Sequence, residues 1–131
     1  MTIIVGYVNT PDGRAALDTA IAEAKKHDSS VIVVNASRPV VRRDSHRLGE
    51  KEIAEVESIL AEAGVTGEIR APGNELDPAE QIIATAAEVG AQLVVLGTRK
   101  RTPVGKFLLG STVQKVIIDA VCPVLCVKAE Y

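Results

Sequence analysis

Short apolar runs and helix-period segments take turns along this chain, and that alternation restricts what it can fold into. Residues 3–8, 31–35, 66–71, 91–96 and 123–128 read as strands. Most of them are rich in Val and Ile, and all are too short for independent helices. Between the first two, Thr10 fits a helix cap and Pro11 a first turn, and Leu17, Ala20, Ile21 and Ala24 fall on one face. A second helix spans 48–63, with Ile53, Val56, Ile59 and Leu60 inward and Gly64 as its stop. Asp77-Pro78-Ala79-Glu80 opens a third, whose apolar side includes Ile82, Ile83 and Ala86. A fourth begins at Gly110-Ser111 and runs through 113–120, with Ser111 and Gln114 spaced as a capping box. Five strands alternating with four helices predict an α/β fold, a single domain with a parallel sheet covered on both faces. Right-handed crossovers make it doubly wound. Ligands of such sheets sit outside the carboxyl ends of the strands, where the strand order reverses.

Composition narrows the function classes. Aromatic residues make up only 2% of the chain, so the core must be aliphatic and stacking platforms for single-stranded nucleic acid are lacking. The net charge of −2 gives no global field to recruit DNA or RNA. Cys122 and Cys126 lack C-x-x-C spacing and read as small buried hydrophobes. Met1-Thr2-Ile3 shows no basic leader, and no apolar run approaches a membrane span, so a cytoplasmic protein is expected.

The cations are concentrated. Eight of the 15 Lys and Arg residues fall in two segments, Arg38, Arg42, Arg43 and Arg47, and Arg99, Lys100, Arg101 and Lys106. Both segments follow predicted strands, so both belong to the ligand-binding edge. The second lies within 97–113, where a strand ends, a basic glycine-punctuated stretch follows, and a helix begins at Gly110-Ser111. Free N–H groups and the positive dipole end at a helix start favour an anion. Gly105-Lys106 is not a Walker P-loop, because Lys100 and Phe107 occupy its first glycine and its hydroxyl position. No G-x-G-x-x-G follows the first strand, where Val8-Asn9-Thr10-Pro11 stands instead. His27 and His46 are far apart in sequence and have no nucleophile motif beside them, so neither a catalytic triad nor a metal site is expected.

From Gly97 to Ser111 the chain resembles the universal stress protein family, whose signature is G-x2-G-x9-G-[ST]. Gly97 and Gly110-Ser111 match at the right spacing, and Lys100 replaces the second glycine. Residues 3–8, 84–97 and 120–127 also look like elements of that family. The resemblance implies a five-stranded parallel sheet in the order 3-2-1-4-5. It further implies a stress-response protein that binds ATP or another adenine nucleotide without evident catalysis. A nucleoside contact made by an Asp in nucleotide-binding members would fall at Val8, beside Asn9 and Thr10, and the adenine contact at Ala36. Phosphate contacts would fall at Gly97, Thr98, Gly110, Ser111, Thr112 and the adjoining Val113, with Arg99, Lys100 and Arg101 adding charge. The resemblance also implies a homodimer paired through the last strand, Pro123 to Lys128. Two alternatives stay open, a dimeric regulatory module with no nucleotide and a slow nucleotide hydrolase. The hydrolase lacks an evident base or metal-binding carboxylate pair near the loop.

Overall fold

The structure, a computed structural model, describes residues 1–36, 47–72, 76–98 and 109–129. The elements are β1 (Thr2–Gly6), α1 (Pro11–His27), β2 (Ser30–Val34), α2 (Glu50–Ala63), β3 (Gly67–Arg70), α3 (Pro78–Val89), β4 (Leu93–Thr98), α4 (Ser111–Asp119) and β5 (Val124–Lys128). The sheet is five-stranded in the order β3-β2-β1-β4-β5, and every pairing is parallel. This is the predicted architecture, with the reversal of strand order between β1 and β4.

The apolar runs work because adjacent side chains serve opposite layers. Ile3, Val5, Val31, Val33 and Val95 pack under α1 and α2 with Leu17, Ala20, Val56 and Leu60. Ile4, Ile32, Val34, Val94 and Leu96 pack under α3 and α4 with Ile82, Ala86 and Val116. A strand buried on both faces has no polar alternation, which is why these strands read as continuous hydrophobic runs. Each fully buried aliphatic side chain is worth about 1.5–3 kcal/mol.

Helix ends follow local chemistry. Thr10 Oγ1 accepts from Gly13 N at 3.2 Å, and Asp77 Oδ1 accepts from Glu80 N at 2.9 Å. Gly64 ends α2 in the left-handed region at φ 71°, as its position predicts.

Three expectations need correction. The fourth strand extends to Thr98, so Gly97 and Thr98 are strand residues and not loop residues. Both are held there by the parallel ladder with Val127 and Lys128 of β5. The Ser111–Gln114 capping box does not form. Gly110 is the N-cap, Ser111 already lies inside the helix, and Gln114 Nε2 donates to the Leu109 carbonyl at 2.8 Å. The cysteines are half-buried and not fully buried, because Cys122 lies in the turn before β5 and Cys126 on that edge strand.

Candidate functional site

The parallel sheet brings the ends of β1, β2 and β4 to one edge. The helices that follow β1 and β4 start there and pack on opposite faces. Val8 and Thr10 are half-buried and Asn9 is exposed in the connection from β1 to α1. Ala36 is half-buried just beyond β2 and touches the layer under α3 and α4. Gly110 and Ser111 are exposed, while Thr112 and Val113 are half-buried, Val113 against the core. Arg99 and Lys100 lie outside the described residues, as do Arg101, Lys106 and the cations at 38, 42 and 43.

Gly97 and Gly13 let the start of α1 close over this edge. A Cβ on Gly97 would overlap the Asp12 carbonyl oxygen and stand 3.0 Å from Asp12 Cβ. A Cβ on Gly13 would overlap the Val8 carbonyl oxygen. The first turn of α1 therefore lies directly on the backbone of β4 and of the connection that leaves β1. Thr98 is buried, and its hydroxyl donates to the Val127 carbonyl at 3.3 Å.

The start of α4 differs from the other helix starts. α1 and α3 have side-chain caps, and α2 carries Glu50 and Glu52 in its first turn. α4 has neither a capping side chain nor a first-turn acid, and among the described residues nothing lies within 4 Å of a Cβ placed on Gly110. Its first N–H groups and positive dipole end are therefore not offset by a carboxylate of its own. Lys115, one turn further on, reaches Asp77 at 3.1 Å and Glu80 at 3.5 Å. These bonds tie α4 to the start of α3. The Glu80 backbone N–H and then the Lys115 ammonium hold the Asp77 carboxyl below the ordinary carboxylate range.

Sequence reasoning missed Asn35, which is fully buried at the end of β2. Its Nδ2 donates to the Tyr7 carbonyl at 2.9 Å, and its Oδ1 accepts from Leu48 N at 2.9 Å. Its own N–H donates to the Arg70 carbonyl at 2.8 Å. The available signal was a single amide closing the apolar run Val31-Ile32-Val33-Val34, where burial continues and a polar side chain needs partners. Among the described residues, no group of three or more His, Cys, Asp and Glu side chains converges as a metal site. Nor is any described helix long and apolar enough to cross a membrane.

The family model for the universal stress protein family matches residues 1–128. The chain belongs to the universal stress protein family. A universal stress protein of Mycolicibacterium smegmatis is 40% identical over 126 residues, covering 96% of each chain. A universal stress protein structure from Archaeoglobus fulgidus superposes with a TM-score of 0.86 at 32% identity, covering 98% of both chains. Another from the same organism, solved in complex with dAMP, superposes with a TM-score of 0.77 at 28% identity and the same coverage. The family fold and the strand order found here therefore agree.

Proposed function

We propose that this universal stress protein binds an adenine nucleotide at the carboxyl edge of its sheet and catalyses no reaction on it. The phosphate lies at the start of α4, against the backbone of Gly110, Ser111 and Thr112. The nucleoside lies between the connection after β1, at Val8 to Thr10, and the end of β2 at Ala36. The observation that carries this reading is the uncapped, acid-free start of α4 on the edge where strand order reverses. The dAMP complex of the Archaeoglobus fulgidus relative supports the ligand class. Arg99 and Lys100 supply positive charge to the phosphate. The protein acts in the cytoplasm as a homodimer paired through the β5 edge.

Val8 places no carboxylate beside the ribose, so hydroxyl selectivity is weak. AMP and dAMP bind with dissociation constants within about threefold, less than one ordinary hydrogen bond is worth. Isothermal titration with ATP, ADP, AMP and dAMP tests the proposal. Saturable heat is expected, and no heat at millimolar ligand overturns it. Val8 also favours the second reading, a dimeric regulatory module without nucleotide, and the same titration separates the two. Incubation with ATP over hours is expected to release no phosphate.

A further inference from the structure

The buried Asn35 amide joins the parts of the edge that would hold a nucleoside. Its partners fix its orientation. A carbonyl can only accept, so the group facing Tyr7 O at 2.9 Å is the NH2. A backbone N–H can only donate, so the group facing Leu48 N at 2.9 Å is the oxygen. The Tyr7 bond holds the residue immediately before Val8. The Leu48 bond holds the chain where it enters α2, 13 residues beyond Asn35. The backbone of Asn35 adds the end of β3 through Arg70. Tyr7 N in turn donates to Val34 O at 2.9 Å, so Tyr7 is bonded to the end of β2 through both its N–H and its carbonyl. Among the described residues, none of these bonds involves α4 or its N-terminus.

We infer that Asn35 is a positioning residue for the nucleoside half of the site, acting through Tyr7–Val8 and Leu48 and leaving the phosphate half at α4 unaffected. The inference rests on the nucleotide-binding reading. Its consequence is a split that general destabilisation would not produce. Asn35→Ala removes the side-chain bonds to Tyr7 and Leu48. Asn35→Asp keeps an acceptor for Leu48 N but sets a carboxylate oxygen against the Tyr7 carbonyl, and protonation of that carboxyl restores a donor.

The experiment titrates wild type, Asn35→Ala and Asn35→Asp with adenosine, AMP and inorganic pyrophosphate. Circular dichroism checks that each variant is folded at the titration temperature. Adenosine and AMP are expected to bind about tenfold more weakly to Asn35→Ala, with pyrophosphate within about twofold of wild type, as the loss of a buried hydrogen bond predicts. Adenosine affinity of Asn35→Asp is expected to recover as pH is lowered, while that of wild type stays flat over the same range. Equal weakening of adenosine and pyrophosphate, or unchanged adenosine binding, overturns the inference while wild-type binding still stands. Failure of wild type to bind any of the three overturns the nucleotide reading itself. If neither variant folds, Asn35→Ser and Asn35→Thr, whose single short hydroxyl cannot bridge Tyr7 O and Leu48 N, replace them with the split between adenosine and pyrophosphate as the criterion.

Discussion

A methyl group on Gly97 would overlap the Asp12 carbonyl, whereas one on Gly110 would meet nothing within 4 Å among the described residues. The two signature glycines thus do different work. Gly97→Ala is expected to destabilise the fold by about 1–3 kcal/mol, the usual cost of overpacking, because backbone and not a flexible side chain must give way. Gly110→Ala is expected to cost under about 1 kcal/mol, since the N-cap φ of −63° suits any residue. Urea denaturation of the two variants checks the contrast, and equal losses would contradict it. The cysteines carry a second expectation at this scale. Burial pushes both thiols above the ordinary cysteine range. At pH 8 they should alkylate several-fold more slowly than the same chain in urea, because the thiolate is the nucleophile. Alkylation at the unfolded rate would count against that burial.

At the scale of elements, the helix starts differ in whether a capping side chain or a first-turn acid offsets them. Asp77 caps α3, and the Glu80 N–H keeps its carboxyl a stronger acid in the folded state than in the unfolded chain. Its contribution is therefore complete above the unfolded value, about 4, and is lost as pH falls through the lower folded value. Asp77→Asn retains a good cap and should flatten that part of the acid-unfolding profile. An unchanged profile would show that other carboxylates govern it. α4 offers the opposite case. Gly110→Asp gives it a capping carboxylate, so thermal stability should rise by about 0.5–1 kcal/mol while nucleotide binding is lost. A variant that gains stability and still binds AMP normally would place the phosphate elsewhere. The capping pattern read from Ser111 and Gln114 misled because two adjacent small residues, Gly110 and Ser111, both fit an N-cap. Which of them takes that place depends on how the preceding chain arrives.

At the scale of the molecule, β5 is an edge strand, and exposed apolar side chains lie on it and on the stretch of chain that leads into it. Ile118 is 78% exposed, Val121 69% and Leu125 37%. An open edge beside such residues is a pairing surface unless another chain covers it. Sedimentation at micromolar concentration is expected to give a dimer, and Leu125→Lys combined with Ile118→Glu a monomer. A monomeric wild type would remove the dimer from the proposal. The order of elements, the two-sided burial of the three central strands and the α1 and α3 caps were legible in the sequence because they rest on neighbours a few residues away. Periodicity and capping are local, and the chain carries them wherever it folds. The signature at Gly97 and Gly110-Ser111 marked the edge for the same reason, as a matter of spacing along the chain. Three-dimensional contacts decided the rest. Gly97 proved to be a strand residue pressed against Asp12, far earlier in the sequence. Asn35 acquired its place only when Tyr7, Leu48 and Arg70 met around it. A buried amide draws its meaning from the donors and acceptors that surround it, and those come from distant parts of the chain that only folding assembles.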